Sequence, residues 1–246
     1  MNHFFVTPIQ ISENKITITG NDFRHIKQVL RMNIGDEATF SDGINQVEYH
    51  GIITGFDDET AYFDIIYIQE LNNELPAQVY LFQSLPKADK MELIIQKAVE
   101  LGIHEIIPIN TTRSIVRLND KKAQTKIKRW QAISEAAAKQ CKRGTIPLIN
   151  NLMDFGQALK TASGMDLKII PYEMADNIED TKKIISAIKP GQTIAIFIGA
   201  EGGFAKEEID LATKSGITPI TMGKRILRTE TAALVILSWI MYHLEI

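Results

Sequence analysis

The spacing of apolar and polar positions changes character near residue 75. Before it, residues 15–19, 37–40, 46–54 and 60–69 are short runs rich in Ile, Val, Thr and aromatics. Turn signals at Gly20-Asn21-Asp22, Ser41-Asp42-Gly43 and Gly55-Phe56-Asp57-Asp58 separate them, which predicts β-strands. A helix is expected over 22–32, with Asp22 as N-cap and Phe23, Ile26 and Leu30 as its apolar stripe. These elements describe a small β-barrel. The polar stretch 70–76 reads as a linker. Beyond it, strand-like runs at 78–84, 105–109, 167–171, 193–198 and 217–221 alternate with helical runs at 90–101, 120–142, 154–161, 178–188, 206–214 and 230–243. Strict alternation of this kind implies crossovers onto a parallel sheet, an α/β fold. The boundaries expected from this pattern are 1–72 and 73–246.

Composition adds little to this. The chain has 246 residues, 45% apolar and 23% charged, as an ordinary globular protein does. No apolar run reaches the roughly 18 residues of a membrane span, and the first residues lack the regions of a secretory signal peptide. The single cysteine, Cys141, excludes an internal disulfide framework and fits a reducing cytoplasm. The five histidines are scattered without metal-binding spacing, so no metal is expected.

Charge changes the picture more. The net charge is −3, yet residues 111–146 hold ten Lys/Arg against only Asp120 and Glu135. In the 120–142 helix, Ala123, Ile127, Trp130, Ala137 and Cys141 share one face, which leaves Lys122, Lys126 and Arg129 on another. Such a face is either plainly solvated or an attractor for a phosphate backbone.

Three strand-to-helix junctions carry candidate chemistry. The first, Ile198-Gly199-Ala200-Glu201-Gly202-Gly203-Phe204, brings an apolar strand into a glycine-rich turn, at the end of the sheet where ligands bind in open α/β folds. Its spacing matches neither the dinucleotide fingerprint nor a P-loop. The second, Met222-Gly223-Lys224-Arg225-Ile226-Leu227-Arg228-Thr229-Glu230, precedes the last helix. Thr229 is the expected N-cap, whereas Arg225 and Arg228 stand against the positive end of the helix dipole. The third, Leu85-Pro86-Lys87-Ala88-Asp89-Lys90, offers Asp89 as an N-cap and two lysines on the same rim.

In this order, these motifs resemble the bacterial 16S rRNA uridine N3-methyltransferases of the SPOUT superfamily. The resemblance runs nearly end to end, from His3-Phe4-Phe5-Val6 through Val29-Leu30-Arg31-Met32, Glu100-Leu101-Gly102, Arg113-Ser114 and Glu135-Ala136-Ala137-Ala138-Lys139-Gln140. Its most specific part is Arg225-Ile226-Leu227-Arg228-Thr229-Glu230-Thr231-Ala232 following the glycine-rich loop. Three positions depart from the family pattern. Ala200 stands where Pro is usual and Ala88 where Gly is usual, changes expected to alter loop stiffness only. His3 stands near an expected Arg.

The resemblance implies a PUA-like β-barrel for 1–72 and a trefoil-knotted, dimerising SPOUT methyltransferase domain for 73–246. It implies S-adenosylmethionine bound by Pro171, Tyr172, Glu173, Ile198, Gly199, Glu201, Gly202, Gly203, Met222, Gly223, Leu227 and Thr229. Arg228 is the expected catalytic residue, stabilising negative charge on the uracil oxygens, with Glu201 and Glu230 as proton-acceptor candidates. Arg31, Lys87, Lys90, Arg113, Lys139, Lys142 and Arg143 are expected to meet RNA. The implied partners are 16S rRNA of the small ribosomal subunit and a second copy of the chain, with no membrane and no metal. A ribose 2′-O-methyltransferase of the same superfamily, a non-catalytic RNA-binding module and a nucleotide-binding oxidoreductase are the rival readings.

Overall fold

A computed structural model describes residues 1–175 and 177–246. Contacts divide the chain into one unit of Met1–Glu74 with Ala138–Ile146, and another of Leu75–Ala137 with Pro147–Ile246. The piece Ala138–Ile146, which the sequence partition kept with the second domain, groups with the first.

The first unit contains β1 (Asn2–Phe5), β2 (Ile11–Ser12), β3 (Lys15–Thr19), β4 (Glu37–Ser41), β5 (Val47–Phe56) and β6 (Thr60–Glu70). They form one sheet in the order β1-β4-β5-β6-β3-β2, with β1 parallel to β4 and the other pairs antiparallel. Breaks in the β5–β6 register at His50/Gly51 and Ile53/Gly55 add twist, which lets the sheet curl around its inner face. Phe4, Ile16, Ile18, Phe40, Ile53 and Phe63 fill that face, and the Phe40 and Phe63 rings meet edge to face at 4.7 Å. The helix expected over 22–32 starts earlier, as α1 (Gly20–Arg24) with Thr19 at the N-cap, and continues as a π-turn over His25–Leu30. Asp22 therefore lies in the first turn and does not cap it. Ile26 is buried in the barrel core, with Phe23 and Leu30 packed partly against it.

The second unit contains β7 (Gln78–Ser84), β8 (Glu105–Asn110), β9 (Leu148–Ile149), β10 (Met153–Asp154), β11 (Leu167–Pro171), β12 (Thr193–Ile198) and β13 (Thr218–Ile220). All pairs are parallel, in the order β10-β8-β7-β12-β11-β13, with β9 also beside β8. The helices are α2 (Lys90–Glu100), α3 (Asp120–Gln140, whose last residues belong to the first unit), α4 (Phe155–Thr161), α5 (Ile178–Ser186), α6 (Lys206–Lys214) and, after the last strand, α7 (Thr229–Glu245). The central strands are apolar on both faces, as a sheet covered on both sides requires. Phe82 and Phe197 stack at 4.5 Å between β7 and β12, within a cluster that includes Ile107, Ile170 and Ala195. Because every strand runs the same way, the loops after β7, β11, β12 and β13 emerge along one edge. No helix among the described residues is long and apolar enough to cross a membrane.

Candidate active site

β12 ends at Ile198 and the chain turns back at once. The Gly203 N–H donates to the Ala200 carbonyl at 2.9 Å, and Gly203 takes a left-handed φ of 64°. This turn folds so tightly that a Cβ on Gly199 would lie 3.0 Å from the Gly203 backbone. Glycine at 199 thus lets the turn close this tightly. After the turn, the buried Glu208 of α6 accepts from the Ala205 N–H and the Thr112 N–H, both at 2.8 Å, and ties the turn to the loop after β8.

The loop after β13 is anchored by the buried Thr181 of α5, whose hydroxyl donates to the Thr221 carbonyl at 3.1 Å. Gly223 then adopts φ 99°, a conformation that glycine reaches freely. Neither Thr181 nor Glu208 stood out in the sequence, since each lies inside an ordinary amphipathic helix. Arg228, not Thr229, occupies the N-cap of α7. Thr229 is the first helical residue and is buried: its hydroxyl donates to the Gly199 carbonyl at 2.6 Å and accepts from the Gln83 side chain at 2.9 Å. The capping role expected for Thr229 is replaced by a bridge between the two loops.

Between these loops lies a cavity of about 530 Å3, within the range of small-molecule sites. Its wall includes every residue expected at the cofactor: Pro171, Tyr172, Glu173, Ile198, Gly199, Glu201, Gly202, Gly203, Met222, Gly223, Leu227 and Thr229. Most are backbone, glycine or apolar side chain. A Cβ added at Gly203 or Gly223 would meet no protein atom within 4 Å, so both turn open space toward the cavity. Such a wall suits a flat heteroaromatic ring and a sugar held by main-chain groups.

Arg228 also lines the cavity. It is exposed, and its guanidinium has no hydrogen-bond or ion-pair partner among the described residues. The N–H groups of the first turn of α7 start beside it, so positive charge is concentrated there. Lys90 is turned inward: its ammonium lies 3.0 Å from Glu201 Oε1 and 3.3 Å from Glu230 Oε2. Glu201 Oε1 also accepts from the Lys87 N–H at 3.0 Å. Partial burial pushes the Glu201 carboxyl up, but the Lys90 hydrogen bond and the backbone donors outweigh it and hold it below the usual value. The Lys90 ammonium is correspondingly held above its own, chiefly by the Glu201 hydrogen bond. A carboxylate so stabilised as the anion is a weak base, which counts against Glu201 as proton acceptor.

The residues expected at RNA divide. In the second unit, Lys87 and Arg113 are exposed, and Arg113 reaches back to the Gly202 carbonyl at 3.2 Å. In the first unit, Arg31 and Lys142 are exposed. Lys139 is partly buried, 5.9 Å from the centre of the Phe5 ring and 3.9 Å from Asp22. Arg143 is not available: it is 4% exposed and clasps the Glu74 carboxylate through Nε and Nη2. Its charge is consumed inside the fold. Lys90 is likewise engaged with carboxylates. On α3, Lys122 and Arg129 are exposed, while Arg129 also pairs with Glu92 at 2.8 Å. Among the described residues, no group of three His, Cys, Asp or Glu is arranged to hold a metal ion.

Comparison with known proteins gives a consistent picture. An RNA methyltransferase domain family model matches residues 73–241, and an RNA methyltransferase PUA domain model matches residues 18–66. The Bacillus subtilis ribosomal RNA small subunit methyltransferase E is 37% identical, covering 100% of this chain and 98% of its own. The crystal structure of a Neisseria gonorrhoeae ribosomal RNA small subunit methyltransferase E bound to S-adenosyl methionine is 31% identical, covers 97% of this chain and 95% of that one, and superposes with a TM-score of 0.83. A putative methyltransferase from Legionella pneumophila in complex with the same cofactor is 30% identical over 98% of this chain and 96% of that one, also with a TM-score of 0.83.

Proposed function

The chain belongs to the ribosomal RNA small subunit methyltransferase E family, a PUA-like barrel joined to a SPOUT-type α/β domain, and from that premise we propose that it methylates N3 of one uridine in 16S rRNA. The methyl donor is S-adenosylmethionine, whose electrophilic methyl group is the chemistry it supplies when bound. The observation that carries the reading is Arg228, an unpartnered guanidinium on the wall of a cavity made of glycine-rich and apolar loops.

N3 of uracil carries a proton and is a poor nucleophile until that proton leaves. The resulting negative charge spreads onto O2 and O4, and attack then forms the N3–C bond as the donor's S–C bond breaks. Arg228 and the first-turn N–H groups of α7 supply fixed positive charge where that anion develops. A planar guanidinium that stays protonated suits the two ring oxygens better than an ammonium does. Ile198 and Leu227 add apolar surface to the same wall. Glu230, in the first turn of α7, is the other proton-acceptor candidate, although it shares the Lys90 ammonium with Glu201.

Arg31, Lys87, Arg113, Lys139 and Lys142 contact the RNA backbone in this reading. The protein acts in the cytoplasm as a homodimer, with the knotted form of the parallel sheet. The partly exposed apolar residues of α7, among them Leu234, Trp239 and Met241, are buried against the second copy. The test is single-turnover methyl transfer from labelled S-adenosylmethionine to small ribosomal subunits from a strain lacking the enzyme. Arg228→Ala is expected to slow the step by 100-fold or more, on the order of an oxyanion-stabilising donor, while cofactor affinity changes little. A wild-type rate in that variant overturns the role of Arg228.

A further inference from the structure

We propose that Lys90 is a positioning residue of the methyl-donor pocket, its ammonium locking the Glu201 carboxylate of the glycine-rich turn to the Glu230 carboxylate of α7. The inference deepens the function proposed above and rests on that cavity being the donor site.

Lys90, the first residue of α2, lies on the cavity wall, 3.0 Å from Glu201 and 3.3 Å from Glu230. Three chain segments distant in sequence meet at this one ammonium: the start of α2, the turn after β12 and the first turn of α7. The last of these also carries Arg228. With its side chain 28% exposed, Lys90 is only partly solvated. Two carboxylates that share one cation hold it more firmly than a single surface pair does.

The charged groups facing Glu201 decide what the lock does. Lys90 and the Lys87 N–H contact its Oε1 directly. Glu230 shares the ammonium, and Arg228 and Arg225 line the same cavity without touching it. Lys90 is therefore the one side-chain cation in contact with Glu201 among the described residues. Without Lys90, only backbone donors would oppose the upward push of burial on Glu201, and its carboxyl would titrate at a higher pH than in the wild-type protein. The donor carries a positively charged sulfonium, so an ionised, fixed Glu201 on the wall favours its binding.

The test is calorimetric titration of S-adenosylmethionine into the wild-type protein, Lys90→Met and Lys90→Arg between pH 5 and 7, below the range in which the donor's own α-amino group titrates, alongside the salt dependence of RNA affinity. The wild-type affinity is expected to stay flat across this range, because Glu201 remains ionised throughout. Lys90→Met is expected to bind about tenfold more weakly, a loss of about 1.4 kcal/mol, and to weaken further as pH falls. Lys90→Arg keeps a cation and is expected to restore most of the affinity and the flat profile. The slope of RNA affinity against salt should be unchanged in both variants, whereas loss of a phosphate contact lowers it by about one unit. Lys90→Met with wild-type affinity and a flat pH profile overturns the proposal, as does a lowered salt slope. A wild-type protein that binds no S-adenosylmethionine overturns instead the function on which it rests. Circular dichroism of each variant separates loss of the lock from loss of the fold.

Discussion

The Thr229 hydroxyl donates a 2.6 Å hydrogen bond to the Gly199 carbonyl while accepting one from Gln83, so a single buried side chain joins β7, the glycine-rich turn and α7. Thr229→Val keeps the shape but leaves the Gly199 carbonyl without this donor and the Gln83 amide without this acceptor. It should destabilise the protein by about 1–3 kcal/mol and weaken cofactor binding. Thr229→Ser keeps the hydroxyl and should retain most of both. Urea denaturation of the two variants checks the difference.

Gly199→Ala should do more damage than its size suggests. Its methyl group would sit 3.0 Å from the Gly203 backbone, which has no flexible end to move away. Both the melting temperature and cofactor affinity should fall. Gly223→Ala meets no neighbour but forces φ 99° on a residue with a side chain, at a cost of about 1–2 kcal/mol. A thermal melt with and without S-adenosylmethionine distinguishes them: Gly223→Ala should still be stabilised by the ligand at high concentration.

Ala88 is one position where the sequence is at odds with the backbone it must adopt. Its φ is 54°, in the left-handed region that glycine reaches freely and a residue with a Cβ does not. Beyond the change in loop stiffness expected there, alanine at this position places strain on the turn into α2. Ala88→Gly relieves about 1–2 kcal/mol of that strain and returns about 0.4–1 kcal/mol to the entropy of the unfolded chain. The variant should be slightly more stable, by a small positive shift in the denaturation midpoint.

Much of this architecture was legible from residue order. The strands 78–84, 167–171 and 193–198 match β7, β11 and β12 because buried parallel strands are continuous apolar runs bounded by turn residues. The loops of the cavity were legible because glycines and arginines stand at strand ends. Two features were not. β1 is four residues long, too short to show alternation, and its parallel pairing with β4 depends on chain far ahead of it. From sequence, Arg143 and Lys90 are expected to meet RNA, because sequence displays a charge but not its partner. Glu74 lies 69 residues from Arg143, and Glu201 and Glu230 lie farther still from Lys90.

Arg143 consequently separates a structural cation from a nucleic-acid contact. Arg143→Met strands Glu74 as a buried, unpaired carboxylate and should cost about 3–5 kcal/mol of stability. The salt slope of RNA binding should not change in the protein that remains folded. Lys142→Ala, at an exposed position, should leave stability near wild type and lower the slope by about one unit. Chemical denaturation and filter binding across a salt series read the two effects.

The barrel should weaken in mild acid through His3. Its Nδ1 lies 2.9 Å from Thr39 Oγ1 and 3.2 Å from Glu48. Burial lowers its pKa from the ordinary 6.5, more than the attraction of Glu48 raises it, and Lys139 and Lys142 lower it further. The unfolded chain therefore takes up the proton first as pH falls. His3 contributes its stability fully above pH 6.5, and that contribution is lost as pH falls through the depressed folded value. His3→Gln should flatten the dependence of stability on pH between 5 and 7, measured by urea denaturation.

The central claim is the identity of the methylated atom. The direct measurement is nucleoside mass spectrometry of small ribosomal subunits, taken from a strain lacking the enzyme and incubated with the purified protein and S-adenosylmethionine. One 3-methyluridine per 16S rRNA is expected, absent without the protein and strongly reduced with Arg228→Ala. Methylation on a ribose 2′-oxygen or on another base, with no 3-methyluridine, would contradict it.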